Sequence, residues 1–408
     1  EYAIAASAVS VGWSNYFVGL VQSGLGLELP TFFTKGAFAA VGGGINLPAV
    51  VIALLVTGLL VLGTKESAMF NAVLVVIKVV ALTVFVVLAV PVMKMENFEP
   101  FAPLGFGGIS AAAASIFFAY VGFDAVSTAA EETKNPQRNM PIGLIGSLVI
   151  CTVFYLLVAS GAIGAVGAQP VFGAAGEALA TGSKELQQQC AALAGAGNVP
   201  LVCSDEALAH VLREIGYVNV GNLIGLAAFL ALPSVVLMML FGQTRIFFVM
   251  ARDGLLPEGL AKVHPKFHTP HIVTMITGAF VTMAAAFFPV GQLADISNSG
   301  TLFAFMTVAI GVLILRRTAP ARHRPFRTPM VWLVGPAAIA GCAYLFFNLS
   351  GYTELMFLGW AAVGLVVYFL YGRRKSHVGR GLVEVHERDA DAPQQPVPPL
   401  PGGIDIND

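Results

Sequence analysis

The sequence predicts an all-α integral membrane bundle. Three observations lead there: an apolar composition, a succession of hydrophobic runs of membrane-crossing length, and positive charge concentrated on one side of the chain's alternating loops. Of the 408 residues, 57% are hydrophobic and 11% charged, and the mean hydropathy is +0.79, well outside the range of soluble domains. Apolar runs able to cross about 30 Å of hydrocarbon fall near 1–22, 47–63, 68–90, 107–130, 140–166, 218–243, 271–289, 294–316, 330–349 and 353–371, which gives about ten transmembrane helices. Lys and Arg gather in one set of alternating loops and in the C-terminal tail, with Arg316, Arg317, Arg373, Arg374 and Lys375 among them. The opposite loops hold Lys35, Lys94, Lys184 and Arg213. Positive residues mark the cytoplasmic side, so we expect a multi-pass protein of the cell's inner (plasma) membrane with both ends of this chain in the cytoplasm. The bundle is assigned to 1–372, with an exterior loop at 167–217. Residues 373–408 read as a cytoplasmic tail whose APQQPVPPLPGG run favours extended or disordered chain.

Within this frame the stretch from Phe117 to Gly143, FFAYVGFDAVSTAAEETKNPQRNMPIG, carries the most information. It begins as a membrane helix and is interrupted at Gly122-Phe123-Asp124. An ionisable side chain at bilayer depth costs about 2.5–3.5 kcal/mol on insertion scales, and non-helical backbone survives there only against protein or a watery cavity. A helix broken in this way exposes carbonyls and amides to a small solute. Gly122 permits the backbone geometry of a break, and Asp124 suits either the wall of a pocket or the N-cap of a second half-helix beginning Ala125-Val126-Ser127. Phe118 is either a pocket residue or ordinary core or lipid packing.

Lys78 is the second feature, central in NAVLVVIKVVALTVFVV and too far from either end to snorkel. Desolvation disfavours an ammonium, so a buried lysine whose surroundings alternate between polar and apolar can exchange protons. The competing reading is a structural lysine permanently paired with an acceptor.

Four cysteines divide by location. Cys151 and Cys342 fall inside spans and read as small buried hydrophobes. Cys190 and Cys203 share the exterior loop and are a candidate disulfide pair.

Three motifs in order, the broken-helix stretch, GQTRIFFVMARDGLLP at 242–257, and GTLFAFMTVAIGVLILRRTAP followed by RPFRTP at 300–329, resemble the cationic amino acid transporter family of the amino acid, polyamine and organocation superfamily. The resemblance runs from Glu1 to about Lys375. It implies a LeuT-like inverted-repeat transporter bundle. On that template the chain starts in the family's third helix and lacks the first two, and the absence of an initial methionine is read the same way, as a fragment. It also implies that carbonyls around Phe118 and Ala119 receive the substrate ammonium, that Phe118 and Val121 line or lid the pocket beside Gly122, and that Asp124 borders it. Lys78 would be the proton-coupling residue, facing a hydroxyl for which Ser234 is the candidate. For Ser234 a bond back into its own helix is an equal alternative.

The functional expectation is a secondary amino acid transporter that takes up its substrate with a proton by alternating access, and that accepts neutral amino acids or a broad range. No cofactor beyond the coupling proton is expected. An exchanger is the runner-up, and a nontransporting sensor or remnant is the reading if the truncation is genuine. An enzyme would require a nucleophile, acid–base pair or metal cluster at one depth, which the spans do not supply. The partners implied are the amino acid and the lipid bilayer. No obligate protein partner is evident, and the net charge of −1 with no basic patch argues against nucleic acid.

His264, His268 and His271 do not make a metal site, because Pro265 and Pro270 break any helix between them; they read as a solvated loop. Adjacent Glu131 and Glu132 point apart on a helix. Gly42-Gly43-Gly44 is followed by no Lys-Ser or Lys-Thr and reads as a flexible turn.

Overall fold

The computed structural model describes residues 1–381 apart from 40–41, 64–67, 126–134, 175, 177, 180–182, 196–198, 322–323, 325 and 378. Its helices are α1 (Tyr2–Leu25), α2 (Thr31–Thr34), α3 (Leu47–Leu62), α4 (Ala68–Ala89), α5 (Gly105–Ile116), α6 (Pro136–Val166), α7 (Lys184–Gly195), α8 (Ala207–Glu214), α9 (Val218–Arg252), α10 (His271–Phe287), α11 (Val290–Thr318), α12 (Val331–Phe346), α13 (Gly351–Val367) and α14 (Arg373–Lys375). Among the described residues there is no strand, only two isolated bridges. Each expected span holds one helix. Six of them are long and apolar enough to cross a bilayer unaided, while α3, α5 with its 3₁₀ extension to Tyr120, α10 and α12 are shorter apolar helices. The long helices overrun the apolar stretches: α9 continues to Arg252 and α6 begins at Pro136. Helical hydrogen bonding does not stop where hydrophobicity does.

Helix α1 is the axis of the bundle, packing on α3, α9, α10 and α11. Its sequence explains this position: Ala5, Ala6, Ala8, Ser7, Ser10 and Ser14 are fully buried, and such small side chains let membrane helices approach closely. The hydroxyls stay satisfied, since Ser10 donates to the Ala6 carbonyl at 2.8 Å and Ser14 to Asn46 Oδ1 at 2.6 Å. Helices α3 and α10 cross where Gly278 meets Thr57; a Cβ on Gly278 would lie 2.2 Å from that side chain. The outer faces of α4 and α13 expose Val76, Val80, Leu355, Leu358 and Leu365, an apolar surface fit for lipid.

Helix α8 lays Val211 and Leu212 against Phe85 and Ala89 of α4 and Ile224 of α9, so part of the 167–217 loop is packed onto the bundle. Lys35, ahead of α3, pairs with Asp205 at 2.5 Å and donates to Asn15 at 3.2 Å. The glycine segment before α3 is tied on its C-terminal side. Gly44 N–H donates to the Lys35 carbonyl, and Asn46 N–H to Ala286 at the end of α10. At the other end of the chain, the His377 amide donates to the Asp253 carbonyl at 3.1 Å, docking the first residues of the tail beneath α9. The PVPPLP run, Glu131 and Glu132 lie outside the described residues.

Candidate functional site

Helix α5 stops at Ile116, tightens into a 3₁₀ turn over Phe117–Tyr120, and then leaves helical geometry, with Val121 at ψ 130° and Gly122 at φ 110°. Only glycine adopts that φ without strain, and a Cβ on Gly122 would also sit 2.8 Å from Met239 Cε on α9. A helix that ends inside protein leaves its last carbonyls without intrahelical donors, and partners come from two other helices and from the turn itself. The Asn298 amide on α11 donates to the Ala114 and Ser115 carbonyls at 3.0 and 2.9 Å. Tyr155 Oη on α6 donates to the Ala119 carbonyl at 2.5 Å, and within the turn the Val121 N–H donates to Phe118 at 3.1 Å. Each of these carbonyls has two lone pairs, so the Phe118 and Ala119 oxygens retain capacity for one more donor.

Asp124 staples the break to α1. Its Oδ2 accepts from Tyr2 Oη at 2.6 Å and its Oδ1 from the Gly122 N–H at 3.1 Å, and bonds to an ionised carboxylate are among the stronger ones. The run from Val126 that would form the second half-helix, and with it Asp124 as its N-cap, lies outside the described residues. Phe118 packs against two core clusters, one around Ala5, Ile52 and Leu240, the other around Ala8, Ala285 and Leu293; Val121 joins the first. Phe118, Ala119, Val121, Gly122 and Asp124 therefore form one continuous turn against α1 and α9.

Lys78 reaches across from α4 to α9, where its Nζ donates to Ser234 Oγ at 3.1 Å. Ser234 donates in turn to the Ala231 carbonyl at 2.7 Å, so the cross-helix contact and the bond back into its own helix coexist. Beside it, Pro233 lies inside α9. Proline has no N–H, which removes the donor for the carbonyl four residues earlier. That carbonyl belongs to Phe229, and the Trp13 indole takes it at 2.8 Å while stacking on the Phe229 ring at 5.2 Å.

Cys190 on α7 and Cys203 are joined as a disulfide, Cα atoms 5.4 Å apart, away from the break. The histidine loop is folded rather than merely solvated: His264 Nδ1 accepts the Lys266 and Phe267 amides and its ring stacks on Phe267. Among the described residues no three His, Cys, Asp or Glu side chains gather as metal ligands.

Sequence reasoning missed Tyr2, Tyr155 and Asn298. Asn298 had a signal, the polar run Ser297-Asn298-Ser299-Gly300-Thr301 inside an apolar span. Tyr2 and Tyr155 had none, because amphipathic tyrosines are ordinary in membrane helices.

An all-helical, multi-pass bundle organised around an interrupted helix, with its polar groups turned inward, defines a membrane transporter by class. More particularly, the chain belongs to the amino acid permease family, whose model matches residues 2–370. It is 40% identical over 386 residues to the branched-chain amino acid permease BcaP of Bacillus subtilis, covering 93% of this chain and 76% of that protein. Similarity to the methylthioribose transporter of the same organism is 39% over 378 residues, 92% of this chain and 75% of the relative. The chloroplastic cationic amino acid transporter 9 of Arabidopsis thaliana is 32% identical over 320 residues, 78% of this chain and 51% of its own length. The chain is thus a multi-pass membrane transporter of the amino acid permease family and not an enzyme.

Proposed function

We propose that this transporter takes up neutral amino acids with a proton, alternating access around the break in α5, with its C-terminus in the cytoplasm of the cell's inner membrane. The observation that carries the coupling is the Lys78–Ser234 contact, 3.1 Å between α4 and α9. A single ammonium joins two elements there, so its protonation state is felt by their relative position. With the proton present, the ammonium bridges the helices; without it, the donor strength of the bridge falls and the helices can part.

Substrate polarity follows from the break. The spare lone pairs on the Phe118 and Ala119 carbonyls suit an α-ammonium, and Phe118 and Val121 present apolar surface beside them. Asp124 accepts from Tyr2 and from the Gly122 N–H, which ties its carboxylate to the turn and offsets part of its attraction for a cationic side chain. The name of the 40%-identical relative, a branched-chain amino acid permease, agrees with a neutral substrate. The methylthioribose transporter at 39% supports a second reading, an uncharged thioether sugar in the same pocket. Competition of labelled leucine uptake by unlabelled leucine, arginine and methylthioribose separates them.

Lys78→Met tests the coupling, because it keeps length and apolar packing and deletes the titratable amine. In proteoliposomes with an acid-outside gradient, accumulation should fall to the level of protein-free vesicles, while leucine still raises the unfolding temperature. Undiminished accumulation by the variant would rule out the coupling role.

A further inference from the structure

The 167–217 loop holds two helices that are secured in different ways. Helix α8 is keyed into the bundle. Besides its apolar contacts with α4 and α9, Arg213 donates to both oxygens of Glu206, at 3.3 and 3.1 Å, and to Asn222 Oδ1 of α9 at 3.1 Å. The Glu206 carboxylate lies in a notch on α1, where any Cβ on Gly19 would collide with it. Gly221 of α9 makes room in the same way for the Ala209 carbonyl, 2.8 Å from where its Cβ would stand. The chain leading into α8 is pinned as well. The Leu201 N–H donates to Gln169 Oε1 at 2.6 Å, and Asp205 pairs with Lys35. Cys203 lies between those two points and is fixed by them.

Helix α7 is supported differently. From Glu185 to Ala194 only Leu186 is buried. Among the described residues none of these side chains makes a hydrogen bond or ion pair with the bundle, and α7 packs extensively on none of the membrane-spanning helices. Its tie to the preceding chain is local, the Leu186 amide donating to Ser183 Oγ and the Gln187 amide to the Ser183 carbonyl, both at 3.1 Å. A helix of 12 residues is marginal on its own in water. What holds it is one buried leucine and the covalent link from Cys190 to Cys203. Both cysteines are partly exposed, and exposed bridges are the ones that thiols turn over.

We propose that the Cys190–Cys203 disulfide is a redox switch for α7: on reduction the helix detaches and unwinds, while α8 stays in place. The reductant is a dithiol. One of its thiolates attacks a cystine sulfur to form a mixed disulfide, and the second then displaces the remaining cysteine. Two electrons and two protons pass to the cystine, which leaves two cysteine thiols and the closed disulfide of the reductant. The loop thus has a permanent part, α8, and a removable one, α7. The inference is independent of which solute the protein carries.

Hydrogen–deuterium exchange of the full-length protein in detergent, read by mass spectrometry with and without dithiothreitol, tests this. Reduction should speed exchange of the α7 amides from Gln188 to Ala194 by at least about tenfold and leave the α8 amides from Val211 to Glu214 unchanged, because local opening follows local support. Cys190→Ser/Cys203→Ser should show the reduced pattern with no thiol added. Unchanged α7 exchange in the reduced wild type and in the double variant would show that the helix stands without the bridge and would overturn the proposal. Equal acceleration in α7 and α8 would overturn it too, since the bridge would then hold the whole loop. A loosened double variant beside a wild type that dithiothreitol leaves unchanged would mark a bridge that is structural only, and that result also overturns the switch.

Discussion

Helices α5 and α9 are both interrupted, at Gly122 and at Pro233, yet only α5 stops. The difference lies in what each residue does to the backbone. Pro233 removes one donor and keeps a helical φ, so α9 runs on to Arg252 and a single carbonyl, that of Phe229, must find a partner. Gly122 at φ 110° turns the chain away, and carbonyls from Ala114 to Ala119 are then met by Asn298 and Tyr155 from other helices. One interruption is repaired by one side chain; the other makes a polar turn that several helices must maintain. A binding site is the natural use of the second kind, because its groups are already held and partly unsaturated.

The sharpest way to break this contrast is Gly122→Val. A β-branched residue at that φ costs about 1–3 kcal/mol of backbone strain, and its Cβ meets Met239 Cε, a flexible end that can move aside. Strain should therefore dominate and the turn should reshape. Uptake in proteoliposomes is expected to vanish while the protein still inserts and purifies as a monodisperse species. Wild-type uptake by this variant would mean the turn is not the site.

Asn298→Ala should act next most strongly, and on stability. It deletes two buried hydrogen bonds and leaves two carbonyls to be satisfied otherwise, a loss of about 2–4 kcal/mol in total. Thermal unfolding in detergent reads this as a fall in Tm, and Asn298→Asp should do no better, because a carboxylate cannot donate to a carbonyl. An unchanged Tm in both variants would remove α11 from the support of the break.

Much of this was legible in the sequence. The ten apolar helices, the interruption at Gly122 and the buried Lys78 stood out, because a charge or a glycine in an apolar run is costly enough to be informative; Ser234 came only as a candidate from the family resemblance, with a bond back into its own helix as an equal alternative. What did not stand out was the set of residues that answers the break. Tyr155 lies 36 positions from Ala119, and Tyr2 lies 122 from Asp124; no local pattern links them, since a hydrogen bond across helices is a property of packing. The reach of the helices beyond their apolar stretches was equally hidden, as was the tethering of the Gly42–Gly44 segment and the histidine loop, whose order comes from distant backbone partners such as Val61 and Ala286.

The smallest predicted effect tests the milder interruption. Trp13→Phe keeps an aromatic ring against Phe17 and Phe229, which stack on Trp13 at 5.4 and 5.2 Å, and removes the indole N–H that satisfies Phe229. A buried carbonyl left without a donor costs about 1–2 kcal/mol. If Pro233 is the reason that carbonyl is free, Pro233→Ala supplies the missing helical N–H and makes the indole bond redundant. Trp13→Phe should then cost less than half as much in the Pro233→Ala background as in the wild type, a coupling that a double-mutant cycle measures directly. The same cost in both backgrounds would show that the tryptophan acts through its ring alone. In that case Pro233 would be a defect the helix tolerates without repair, and the two interruptions would differ in kind rather than in the number of groups that each one leaves to be satisfied.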